Sequence, residues 1–272
     1  MVLYVIGNGF DLKHGLKTRY CDFYTYLKTN DVEEFEIIND LWGNPIDNNY
    51  LWADFENNFA NINPAIFDML CHLYPDLSLF ENVFKKDIIN SLKKWIKHIE
   101  KEEVQATFFD FNEDDVFLDF NYTSTLTNKY NVDINNDFKI HGNIYLTYYG
   151  DELFSLIFGH GVNSPNCLNQ VKQKREYTRF FQSTTKEATK IINEDKSRFF
   201  SNLERIKNNI TKIVFLGFSY SDIDYKYIEK VYAILPSSTQ SELWFFTEQD
   251  KIKAINYVKK LELSNCEIKQ SK

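Results

Sequence analysis

Glycine is scarce in this chain: nine residues in 272, where an average protein would hold roughly 7%. Cysteine is sparse and scattered. Cys21, Cys71, Cys167 and Cys266 form no C-x-x-C pair, which argues against a zinc ribbon or a redox dithiol. No apolar run approaches the ~20 residues that span a bilayer, and the opening Val2–Ile6 run is too short for a signal peptide. Reduced thiols, a cytoplasmic location and no membrane partner are therefore expected. Lys and Arg are absent between Thr29 and Phe84, a stretch that holds eleven acids. The net charge of −8 makes a nucleic-acid partner for the whole protein unfavourable. Residues 170–210 run the other way, with ten basic residues against five acidic ones. These two stretches are either solvated helical faces or surfaces that face each other, within one chain or between two copies.

Aromatic residues are plentiful. The 24 Phe and 17 Tyr supply a sizeable core and argue against disorder. Val2–Ile6 reads as a buried strand ended by Gly7, and a helix is expected from just after Phe10 toward Leu27. Helical patterning then runs from Asp31 to about Glu103, clearest over Asn82–Glu103, where Phe84, Ile88, Leu92, Trp95, Ile96 and Ile99 recur at helical spacing. Strands are expected at Val116–Phe120, Lys139–Ile140, Leu156–Phe158, Ile213–Leu216 and Leu243–Thr247, with an edge strand at Cys266–Lys269. Between them, 170–209 reads as one or two polar helices, and Asp222–Ile234 and Lys251–Leu261 as two more. Alternating strands and helices predict an α/β fold: a Rossmann-like, mostly parallel sheet with helices on both faces. The chain reads as a single domain, 1–272, with a helical insertion at about 28–112 after the first βα unit.

Six of the nine glycines, Gly7, Gly9, Gly142, Gly159, Gly161 and Gly217, lie just after an expected strand. Ligands of open parallel sheets bind outside the carboxyl ends of the strands, so scarce glycine spent there points to a site. Tight turns alone would also need some of it. Polar residues share these loops: Asn8, Asp11, Asn121, His141, Asn143, His160, Ser219 and Asp222. Gly7-Asn8-Gly9-Phe10-Asp11 joins strand to helix as a phosphate or ribose loop would. It lacks the third glycine of the dinucleotide fingerprint, because position 12 is Leu12. Asn121 ends a strand, where it could orient a ribose hydroxyl; alternatively, Asn121 or Thr123 caps the following helix. His141 and His160 sit beside glycines at the ligand edge, and a neutral His is a good general base. No carboxylate lies near either in sequence, so no metal is expected. Ser221 with Asp224 resembles a capping box, which leaves Gly217 and Ser219 for a ligand. The absence of Gly at 221 disfavours an acyl-transfer elbow. Trp52 and Phe55 read as core, with Glu56 beside them.

In order, Gly7–Asp11, Trp52–Glu56, Phe120-Asn121-Tyr122-Thr123, His141-Gly142, Phe158–Gly161 and Gly217-Phe218-Ser219 with Asp222 and Asp224 resemble the AbiH family of bacteriophage abortive-infection proteins. A wider resemblance is to sirtuin-like proteins, including defence enzymes that hydrolyse NAD. It departs at Thr123, where that pattern has Asp, and no four-cysteine zinc module accompanies it. The resemblance implies phage defence, with NAD or a related nucleotide as substrate or ligand. It puts catalysis on Asn121 and His141, and nucleotide binding on Gly7, Asn8, Gly9, Phe10, Asp11, His160, Gly217, Ser219 and Asp222. A sensor that binds NAD or ADP-ribose without cleaving it is the alternative. An RNA- or DNA-directed toxin using the basic helices is third. A second copy of the chain and a phage-derived trigger stand as candidate partners.

Overall fold

The computed structural model describes residues 1–41, 64–73, 77–104, 108–142, 144, 156, 172, 175, 188–195 and 197–271. The chain divides into two compact units, one of Met1–Lys17, Ile99–Phe154 and Ala188–Lys272, the other of Thr18–His98 and Ser155–Glu187. The first unit holds the sheet. Its strands are β1 (Val2–Ile6), β2 (Val116–Asp119), β3 (Asp137–Lys139), β4 (Lys212–Leu216), β5 (Gln240–Phe245) and β6 (Cys266–Gln270). All five pairings are parallel, in the order β3-β2-β1-β4-β5-β6. The expected α/β sheet is thus present, and the edge strand expected near Cys266 is there. The strand expected at Leu156–Phe158 lies outside the described residues apart from Leu156, as do Trp52–Glu56 and Asn143.

Alternate residues of a strand face opposite sides, and the two sides of this sheet differ in chemistry. Leu3, Val5, Leu118, Ile213, Phe215 and Leu243 share one side and are fully buried. Each such burial is worth roughly 1.5–3 kcal/mol relative to exposure. Phe138, on that side of β3, meets the ring of Phe199 at 5.7 Å in the helix Phe199–Ile206. The opposite side carries Ile6, Phe117, Val214 and Leu216 packed with Phe10 and Leu126, and Tyr4, Phe109, Phe111 and Trp244 border them. Charges occupy the rest of that side. Glu242, 5% exposed, accepts hydrogen bonds from Lys212 on β4, Lys269 on β6 and the Trp244 indole. Burial alone would raise its pKa, but these three donors override that and bring it down to about 2.

One long helix after Phe10 was expected, and two short ones are found: α1 (Asn8–Lys13) and α2 (Tyr20–Asn30). The break is a left-handed stop at Gly15, φ +82°. The Gly15 N–H bonds the Leu12 carbonyl and the Leu16 N–H bonds the Asp11 carbonyl, a Schellman ending. The second unit adds helices at Val32–Leu41, Pro64–Leu73 and Leu77–Ile99. The rings of Phe23 and Trp95 meet within it at 5.0 Å in a tilted contact, and Lys94 pairs with Asp31 at 2.8 Å. The polar 170–209 stretch is described only in part, as helices at Ala188–Glu194 and Phe199–Ile206 with a short 3-10 turn at Lys207–Asn209. Among the described residues, no helix is long and apolar enough to cross a membrane.

The Glu242 cluster gives the fold a defined acid dependence. A carboxyl depressed from 4.5 to about 2 contributes stability that is complete above its unfolded pKa and lost as pH falls toward the folded one. Glu242→Gln lacks that contribution. Urea unfolding should show the gap between wild type and variant, on the order of 1–3 kcal/mol at pH 6, closing between about pH 4.5 and 2. A gap that stays constant over this window would contradict the assignment.

Candidate functional site at the carboxyl edge of the sheet

The strand order reverses its direction of growth between β1 and β4, and that is where open α/β sheets place their ligands. The loops leaving these two strands touch through bare backbone. The Gly7 N–H bonds the Leu216 carbonyl at 3.0 Å, and the Gly9 N–H bonds the Gly217 carbonyl at 2.8 Å. A Cβ on Gly9 would lie 2.8 Å from the Gly217 Cα, and one on Gly217 only 2.0 Å from the Phe10 nitrogen. Gly217 also holds φ +62°, in the left-handed region that side chains avoid. The Phe10 N–H turns back to the Gly7 carbonyl at 2.9 Å. Three amides expected to cradle phosphate are therefore engaged inside the fold. Phe10 itself is core, 1% exposed.

Behind this contact α1 inserts a carboxylate. Asp11 is buried and accepts from Thr123 Oγ1 at 2.6 Å and from Thr125 Oγ1 at 2.7 Å. Burial raises its pKa, and the two hydroxyls, Lys139 and His14 pull the other way. The Asp11 contact accounts for both threonines. The helix Thr125–Tyr130 starts after Ser124, with no side-chain cap. The expected cap by Asn121 or Thr123 is replaced by a tie to α1.

Asn121 and His141 leave the neighbouring strands β2 and β3. The Asn121 side-chain amide donates to the Gly7 carbonyl at 3.2 Å, joining its loop to the glycine contact. His141 is 4% exposed and lies edge-on to Phe120, ring centres 5.3 Å apart, with Tyr227 at 6.0 Å and Tyr122 at 6.2 Å. Asn8 and Ser219 are exposed on either side of the glycine contact. Asp222 is exposed and turned outward, paired with Lys260 at 2.6 Å. Ser221 Oγ accepts from the Ile223 N–H at 3.2 Å, and the helix Tyr225–Ile234 follows Asp224 without a side-chain cap. The expected capping box is thus a local turn. His160, with Gly159 and Gly161, lies outside the described residues.

With this geometry in place, the sequence pattern of the bacteriophage abortive infection AbiH family matches residues 3–247. The chain belongs to the AbiH family. The match runs from β1 through β5 and takes in each described loop of the carboxyl edge. No curated protein and no solved structure matches the chain.

Sequence reading of this AbiH chain missed two buried polar contacts. Lys139 reaches Asp119 across the β2–β3 register, with Asp137 3.3 Å away. Burial holds Asp119 above its usual range against the pull of Lys139, while the carboxylates keep Lys139 protonated despite its burial. A charge ending the apolar β2 run, with a lysine at the end of the next expected strand, was the available signal, since buried charges rarely stay unpaired. The second contact is His14, 3% exposed. Its Nδ1 lies 2.7 Å from the Phe10 carbonyl, which only accepts, so Nδ1 carries the proton. Nε2 then accepts from the Tyr130 hydroxyl, whose oxygen accepts from the Phe108 N–H. Burial lowers the His14 pKa. Among the described residues, no three His, Cys, Asp or Glu side chains gather as a metal site.

The glycine contact predicts a steep cost. Gly217→Ala should lose about 3 kcal/mol or more through backbone overlap and left-handed strain together, read as a lowered urea midpoint. Ser219→Ala, two residues on and exposed, should shift it by less than about 0.5 kcal/mol. Equal midpoints would show that the loops are not in contact.

Proposed function

We propose that this AbiH protein acts in abortive infection by binding NAD or a related nucleotide at the carboxyl edge and cleaving its nicotinamide–ribose bond. The observation that carries the reading is the delivery of Asn121 and His141 by adjacent strand ends, with Asn121 bonded to the β1 loop at the strand-order switch. Asn121 would orient the ribose. With the Gly7, Gly9 and Phe10 amides engaged, the exposed side chains of Asn8 and Ser219 would be donors for phosphate.

In the proposed step, water adds to the anomeric carbon and the C–N bond breaks. The bonding pair goes to the pyridinium nitrogen, so nicotinamide leaves neutral and needs no acid. His141 takes the proton lost by water. Such a reaction depends on ordering and a dry surround more than on a strong nucleophile, and the rings of Phe120, Tyr122 and Tyr227 supply that surround. The burial of His141 equally favours the second reading, a module that binds NAD or ADP-ribose and passes the signal on without cleavage.

Mass spectrometry of NAD incubated with the protein, with and without phage lysate, separates the two. Nicotinamide release is expected. His141→Phe, which keeps a ring but removes both nitrogens, should reduce it by about 10²–10⁴-fold. Saturable binding of ADP-ribose with no nicotinamide formed under either condition would replace the first reading by the second.

A further inference from the structure

Asn121 and His141 stand at the same distance beyond a buried ion pair. Asp119 is the last residue of β2 and Lys139 the last of β3, and they are direct partners in the parallel register. Two residues on from Asp119 comes Asn121, and two on from Lys139 comes His141. Each member of the pair also shapes its own exit. The Asp119 Oδ1 accepts the Asn121 backbone N–H at 2.8 Å, a turn closed by a side-chain carboxylate, while its Oδ2 takes the Lys139 ammonium. The Lys139 carbonyl accepts the Gly142 N–H at 3.3 Å, which folds the chain around His141. The ladder continues past the pair: the Ile140 N–H bonds the Asp119 carbonyl at 2.9 Å.

Stability alone is a weak reason for such a pair. Desolvating two charges offsets most of their attraction, and a well-packed neutral pair of similar volume is often as stable. Both side chains are nearly sealed from solvent, 2% exposed for Asp119 and 5% for Lys139. What a neutral pair would not reproduce is direction. The carboxylate has two oxygens, and fixing one on Lys139 sets where the other holds the Asn121 turn.

We propose that the Asp119–Lys139 pair is a positioning device that fixes the Asn121 turn and the His141 turn relative to each other. It rests on the reading of Asn121 and His141 as the working pair of the site, but its geometry can be tested apart from any reaction.

The variant is Asp119→Asn/Asp137→Asn/Lys139→Met, which neutralises the pair together with Asp137, 3.3 Å from the Lys139 ammonium, at nearly constant volume. Its thermal midpoint should fall within a few degrees of wild type. Hydrogen exchange at the Asn121 amide should speed up at least tenfold, and the His141 ring resonances should shift or broaden. Where wild type releases nicotinamide, the variant should lose at least tenfold in kcat, with KM changed less than threefold. Lys139→Arg, which keeps the cation, should restore most of the exchange protection. A folded triple variant with unchanged Asn121 exchange and an unchanged His141 signal would overturn the proposal. So would a loss of folding in both the triple variant and Asp119→Asn alone, which would assign the pair to stability. If wild type releases no nicotinamide, the catalytic reading falls while the exchange and ring signals still decide this one.

Discussion

Two loops of this protein meet backbone to backbone because Gly7, Gly9 and Gly217 carry no side chain. The rest of the carboxyl edge depends on that approach. It seats α1 against the end of β4, so that Asp11 reaches Thr123 and Thr125 and the Gly7 carbonyl meets the Asn121 amide. A single Cβ at Gly217 would push against the Phe10 nitrogen and separate the loops. The whole hydrogen-bonded set from α1 to β2 would then lose its reference point.

That constraint assigns the scarce glycine to structure first and to a ligand second. Glycine at strand ends allows either a close ligand or a close neighbouring backbone, and at these three positions the neighbour is another loop. The polar groups nearby sort in the same way. Asp11, Thr123 and Thr125 satisfy one another in the interior, and Asp119 is shared between Lys139 and the Asn121 turn. Asn8 and Ser219 face outward. A nucleotide at this edge would therefore meet side chains of the loops more than the helix-start amides of a dinucleotide fold.

Much of the sheet was legible in the sequence. Val2–Ile6 and the strand near Ile213–Leu216 stand out as apolar runs closed by glycine, and the alternation with helices implied parallel pairing. The break at Gly15 was readable as a helix stop but was masked by the apolar spacing from Phe10 to Leu27. Long-range polar contacts were harder. Nothing local in Thr123 says that it will bond Asp11, 112 positions away; a helix cap was the cheaper expectation, and burial decided against it. Asp119 and Lys139 were visible as charges in expected strands, yet their partnership depends on a register that only the assembled sheet defines. His14 carried no local signal, lying within the single helix expected after Phe10; its bond to Tyr130 depends on the assembled fold.

The central claim is that the loops carrying Asn8, Asn121, His141 and Ser219 form one nucleotide-binding edge. Shift mapping of the isotopically labelled protein with added ADP-ribose tests it most directly. The account predicts saturable changes concentrated at residues 7–9, 121–122, 141–142 and 217–219, with the far ends of β1 and β4 unmoved. Saturable changes centred on another surface, or none up to millimolar nucleotide, would contradict it.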